Sequence, residues 1–140
     1  MSSGGYVYIE SDSSGREKAI TLENNSEYWG TQDGSPMLVE VIGASTLSPN
    51  WKIVQDSEII AEAKFNITLA NNQRLLVSSY PEDMYARVYN PDGTYSDVSG
   101  YGDFTKANFL RVPQGTSTFL AELDKNTALN VTFKEERLLV

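Results

Sequence analysis

The chain contains no histidine and no cysteine. Composition alone therefore rules out Ser-His-Asp and Cys-His nucleophilic machinery, histidine general bases, and zinc held by imidazole or thiolate. Carboxylates remain. A pair of acids cleaves a glycosidic bond when one is held protonated and the other ionised, and Glu62, Glu82, Asp83, Asp92, Asp97 and Asp103 are the candidates. Each has an ordinary role in view. Glu62 occupies a solvent-face position in a strand pattern, Asp92 serves a turn, and the others lie in or near loops, where nothing in the sequence raises a carboxyl pKa. Asp92, Asp97 and Asp103 also offer the hard oxygen ligands that calcium takes. No EF-hand spacing accompanies them, and solvated aspartates are the better account. Gly100-Tyr101-Gly102 continues with Asp103 and matches neither a dinucleotide fingerprint nor a P-loop. Catalytic residues, a metal site and a cofactor are all expected to be absent.

Aromatic side chains carry the remaining chemistry. Tyr80, Tyr85, Tyr89, Tyr95 and Tyr101 fall in one stretch, and Tyr28-Trp29 sits in a polar segment. Sugars present apolar CH faces that stack on such rings, so Tyr28, Trp29, Tyr95 and Tyr101 are the candidate ligand-binding residues, with a glycan as the ligand. Cross-strand pairing explains the tyrosines without any ligand and is the preferred reading, since Tyr85 and Tyr89 share a face beside a hairpin.

The elements that must position these residues are strands. Residues 59, 61, 63, 65, 67 and 69 are Ile, Ala, Ala, Phe, Ile and Leu, while Glu62, Lys64, Asn66 and Thr68 between them are polar. Only Ile60 breaks the alternation. A period of two marks a strand with one buried and one wet face, and it predicts a long strand over residues 59–69. Residues 74–79 are expected to return beside it as a hairpin across Asn71-Asn72-Gln73. Further strands are predicted at 6–10, at 19–23 with Ile20 and Leu22 inward, and from Pro36 to Ile42 with Met37, Val39 and Val41 on one face. Others follow at 51–54, 116–123 and 127–134. The most secure local feature is a hairpin joining 84–89 to 94–98 through Asn90-Pro91-Asp92-Gly93. Proline presets φ there, and glycine takes the left-handed position. Residues 103–108 have room for one helical turn, but no stretch shows a helical apolar period. About nine or ten short strands imply an all-β protein, an antiparallel β-sandwich.

A chain of 140 residues fits one domain. We read residues 1–18 as an N-terminal strand and flexible lead-in, and residues 19–140 as a single β-sandwich domain. Eleven basic against 19 acidic residues give a net charge of −8. Nucleic acid and anionic membranes are therefore not expected partners, because both demand a basic footprint. The opening Met1-Ser2-Ser3-Gly4-Gly5 has neither a basic n-region nor an apolar h-region, so no signal peptide is expected. Asn-x-Ser/Thr sequons occur at Asn24, Asn66 and Asn130; Asn66 and Asn130 lie on predicted strands at solvent-face positions, and chance with the strand propensity of threonine explains them.

Four stretches, in order, resemble the C-terminal domain of the distal tail proteins of siphophages, hub components of the tail tip and baseplate. They are Thr21-Leu22-Glu23-Asn24-Asn25 with the strand that follows Pro36; Pro49-Asn50-Trp51-Lys52-Ile53; Phe65-Asn66-Ile67-Thr68-Leu69 with Leu75-Leu76-Val77-Ser78-Ser79; and Asn108-Phe109-Leu110-Arg111-Val112-Pro113-Gln114-Gly115 before Phe119. Thr116-Ser117-Thr118 departs from the asparagine often found after that glycine. The resemblance covers about residues 19–140, and the family's ring-forming domain lies outside it. It implies a galectin-like or carbohydrate-binding-module-like jelly roll, a non-enzymatic virion protein made in the bacterial host cytoplasm. Other tail and baseplate proteins would then be its partners, with a host glycan as the alternative.

Overall fold

The computed structural model describes residues 2–10, 17–25, 34–124 and 127–138. Among them the chain forms eleven strands: β1 (Ser2–Glu10), β2 (Glu17–Asn24), β3 (Ser35–Ile42), β4 (Asn50–Gln55), β5 (Glu58–Lys64), β6 (Arg74–Ser78), β7 (Tyr85–Tyr89), β8 (Tyr95–Asp97), β9 (Arg111–Val112), β10 (Gly115–Glu122) and β11 (Ala128–Leu138). Among the described residues helical structure is limited to a 3-10 turn at Ser99–Tyr101. One sheet runs β1-β11-β3-β6-β7-β8, with β9 paired to β3; the other runs β2-β10-β4-β5. Every pairing is antiparallel. The all-β antiparallel sandwich expected from the sequence is the fold.

Alternation does the sorting. In β2 every second residue is buried, placing Ile20 and Leu22 inward, and β3 buries Met37, Val39 and Val41 in the same way. Between the sheets Trp51 packs on Phe119 at 6.2 Å and on Phe65 at 5.9 Å, and Phe109 meets Phe65 edge-on at 6.4 Å. Aromatic pairs in such geometries contribute about 0.5–1.5 kcal/mol each beyond their buried area.

Two expectations are corrected. The strand predicted over 59–69 ends at Lys64. In the β4–β5 hairpin Ile53 faces Ala61 while Val54 faces Ile59, so Ile60 is the extra residue of a β-bulge. A bulge reverses the side-chain phase. Ile59 therefore joins Val54 on the outer face and is 53% exposed, whereas Ala63 and Phe65 stay buried. The residue that broke the alternation is the one that shifts the register. The second correction is that β6 does not return beside β5. It pairs with β3 and β7 in the other sheet, so residues 65–73 cross between layers. Period two reports which face is buried and is silent about which sheet a strand joins.

The hairpin across Asn90-Pro91-Asp92-Gly93 is as expected. Gly93 has φ +91°, its N–H donates to Asn90 O at 2.9 Å, and Tyr89 lies opposite Tyr95. A different glycine locks the layers. Asn24 is buried at the end of β2 and its Nδ2 donates to Ser35 Oγ and to Val112 O, both at 2.9 Å. Gly34 precedes this knot with φ +89°, and a Cβ there would lie 2.4 Å from Val112 O. Gly34→Ala combines a left-handed strain with a backbone clash, and should lower stability by about 2–4 kcal/mol. Chemical denaturation checks this; an effect below about 1 kcal/mol would contradict it.

Candidate functional site

The outward residues of β7 are Tyr85, Arg87 and Tyr89, because Ala86 between them is buried. Antiparallel register sets Tyr95 opposite Tyr89, Asp97 opposite Arg87, and Arg74 of β6 on the other side of Tyr89. The Arg87 guanidinium carbon lies 4.1 Å from the Tyr85 ring centre and 4.7 Å from that of Tyr95. Arg87 Nη1 also donates to Tyr89 Oη at 3.4 Å. Tyr89 and Tyr95 are 5.2 Å apart, and Arg74 stands 5.7 Å over Tyr89 while pairing with Glu40 at 3.0 Å. Glu40 in turn accepts from Asn130 Nδ2 at 2.8 Å. A planar cation between two rings is held in place, with the in-plane donors not used by Tyr89 left for a partner.

Arg87 forms no ion pair among the described residues, although Asp97 is its cross-strand neighbour. The reason is local. Asp97 Oδ1 accepts from the Ser99 N–H at 2.8 Å and from Ser99 Oγ at 2.7 Å. Asp92 and Asp103 behave alike toward Thr94 and Thr105. Hydrogen bonds from these neighbours hold all three carboxyls below the usual aspartate range. That is the opposite of the raised pKa a general acid needs. The three aspartates also stay in their own turns instead of converging: among the described residues no three acidic, histidine or cysteine side chains come together as a metal site.

The outer face of the smaller sheet carries a groove of about 410 Å³. Leu120 and Ala121 contribute to its lining, with Glu17 and Glu122 toward β2 and β10 and Lys52, Lys64 and Lys106 toward β5. Trp51 borders it but is only 2% exposed, so its ring offers no stacking platform. Residues 101–108 raise one rim by covering the free edge of β5. Asn66 N donates to Tyr101 O at 3.0 Å, Asp103 N to Lys64 O at 2.9 Å, and Asn108 N to Glu62 O at 3.1 Å. The Asn108 side chain bridges the same strand and turn, accepting from Lys64 N and donating to Asp103 O. Lys106 Nζ closes on Glu62 at 2.7 Å, which lowers the Glu62 pKa and raises that of Lys106.

Of the candidate ligand-binding residues, Tyr28 and Trp29 lie outside the described residues. Tyr95 is 53% exposed within the tyrosine–arginine cluster, and Tyr101 is 57% exposed on the rim beside β5. Tyr95 packs against Tyr89 and Arg87, whereas Tyr101 sits on the segment bonded to β5, so the two belong to different surfaces. Arg87 was legible as the residue between Tyr85 and Tyr89 on one strand face. Phe104, 91% exposed on the rim, carried no such signal.

Among solved structures the fold recurs in phage adsorption machinery. The SPP1 Dit (gp 19.1) protein, a hub of the adsorption apparatus in phages infecting Gram-positive bacteria, matches with a TM-score of 0.64 at 12% identity, over 96% of this chain and 48% of that one. A chain of the phage P2 baseplate in its activated conformation with Ca matches with a TM-score of 0.54 at 11% identity, over 93% of this chain and 53% of that one. The chain spans about half the length of either. The resemblance to distal tail domains thus holds at the level of the fold. No protein-family model and no curated protein matches the sequence.

The aspartate turns predict a pH dependence. A carboxyl with a lowered folded-state pKa contributes stability above its unfolded value, about 4, and loses it as pH falls through the folded value. Thermal melts between about pH 6 and pH 2 should show this acid loss, and Asp103→Asn should flatten it. An unchanged acid limb in the variant would remove Asp103 from the account.

Proposed function

We propose that the chain is a non-enzymatic structural domain of a phage tail tip or baseplate, carried in the virion after assembly in the bacterial host cytoplasm. It docks onto other tail proteins through the tyrosine–arginine face of β7 and β8. The observation that carries this reading is the fold shared over 96% of the chain with a hub adsorption protein and over 93% with a baseplate chain. The lowered aspartate pKa values and the lack of histidine and cysteine support a binding role over a catalytic one. Tyrosine and arginine are the residues most enriched at binding hot spots. Here they are already ordered by ring–cation contacts, so little side-chain freedom is lost on docking.

A second reading is kept because Tyr95 and Tyr101 are half-exposed: the domain contacts a host glycan by stacking on these rings, with Tyr28 and Trp29 as further candidates. The two readings separate experimentally. Co-expression with the other proteins of the phage tail tip that carries it should yield a stable complex, and Arg87→Ala or Tyr95→Ala should weaken it at least about tenfold, roughly 1.4 kcal/mol. Failure of the folded chain to join any of them would sink the structural reading. Glycan-array binding abolished by Trp29→Ala or Tyr101→Ala would establish the second.

A further inference from the structure

We infer that the outer face of the four-stranded sheet is a self-association surface, covered in solution by a second copy of this chain about a two-fold axis. The register aligns two cross-strand rows there, Glu17–Glu122–Asn50–Lys64 and Ala19–Leu120–Lys52–Glu62. Charge is therefore divided by strand. Negative groups stand on β2 and β10, whereas around the groove β4, β5 and their covering turn carry Lys52, Lys64 and Lys106 against Glu62 and Asp103, which leaves that side with one net positive charge. Glu17, Glu122, Lys52 and Lys64 form no close ion pair among the described residues; Lys52 acts on Glu62 and Lys64 on Asp103 at longer range, so the division is only partly neutralised within the molecule.

A surface with one acidic and one basic half repels a copy placed like on like and attracts one rotated by a half-turn. The relief fits the same operation. The turn at 103–106 stands on the basic rim, tied to β5 by Asp103 N, Lys106 Nζ and Asn108. Its Phe104 is the most exposed large apolar side chain described, at 91%. A half-turn about the groove lays each raised rim over the acidic side of the other copy. Phe104 then covers the apolar Leu120, and the lysines meet Glu17 and Glu122. The net charge of −8 disfavours nucleic acid or an anionic membrane as the cover. Four strands of six to eight residues present roughly 450 Å² per copy. That is below the roughly 800 Å² of a standard interface, so the dimer is weak and reversible.

Sedimentation equilibrium of the full chain tests this. Mass should rise from monomer to dimer with concentration, and the dissociation constant should increase at least about tenfold between roughly 50 and 500 mM NaCl. Phe104→Ser should weaken the dimer to a similar degree. Two charge reversals, Lys52→Glu with Lys64→Glu and Glu17→Lys with Glu122→Lys, should each give monomer. Their equimolar mixture should recover a heterodimer. These side chains lie on the wet face, and circular dichroism will verify that each variant folds. A wild-type monomer at about millimolar concentration, open-ended polymers, a dimer indifferent to the reversals, or no recovery on mixing would each overturn the inference.

Discussion

Trp51 lies between Phe119 and Phe65, and Phe65 meets Phe109 edge-on. These four rings join β10, β4, the end of β5 and the segment that covers the β5 edge. The contact decides more than core volume. Phe109 anchors residues 101–109 from below, so the part of that segment facing water is held in place. The same interaction that fills the sandwich therefore fixes the rim of the surface groove. Packing of this kind is intolerant of volume change, because aromatic cores have density close to that of organic crystals.

The covering segment also answers a problem inherent in open sheets. β5 ends its sheet, and an uncovered strand edge invites pairing with another chain. Residues 101–108 occupy that edge at Glu62, Lys64 and Asn66 through backbone bonds. Asn108 adds a side-chain bridge and adopts a φ of +66°, a left-handed conformation that asparagine tolerates better than most residues. The outcome is a strand-like partner that carries its own turns. Its turn is closed by Asp103 with Thr105, and the turn just before it by Asp97 with Ser99, each an aspartate and a hydroxyl. Rigidity at this edge comes from hydrogen bonds, and rigidity beneath it comes from the rings.

Much of the fold was legible because burial in a two-layer sandwich imposes a period of two. The inward sets of β2 and β3 and the β7–β8 hairpin follow from alternation and turn chemistry alone. What was not legible has physical causes. The phase of the long alternation around Ile60 concealed a bulge, since one extra residue leaves composition unchanged while reversing which face Ile59 occupies. The crossing of β6 to the other layer depends on the whole arrangement of strands, and no local pattern encodes it. The candidate site divides similarly. Tyr95 could be found because its hairpin was readable, and Tyr85, Arg87 and Tyr89 share a face by simple counting. The groove could not, because its lining is gathered from strands far apart in sequence. Phe104 lay in residues 103–108, where the sequence leaves room for a helical turn and the structure instead has a covering turn without helix, so its exposure depends on what that segment covers.

Identity of 11–12% with two phage structures accompanies a shared fold. The physics allows this, since a sandwich core asks for apolar residues of suitable volume at alternate positions and accepts many combinations of them. Surfaces carry no such requirement, so function must be argued from the exposed faces of this chain itself. Those faces are two. The larger sheet presents Arg87 held between tyrosines, and the smaller presents a groove with acidic and basic sides. Because the sheets bury their inner faces against each other, the outer faces point in opposite directions. A partner on one leaves the other accessible, and contact at the tyrosine–arginine face involves none of the groove's charges. The two outer faces can therefore be occupied independently of each other.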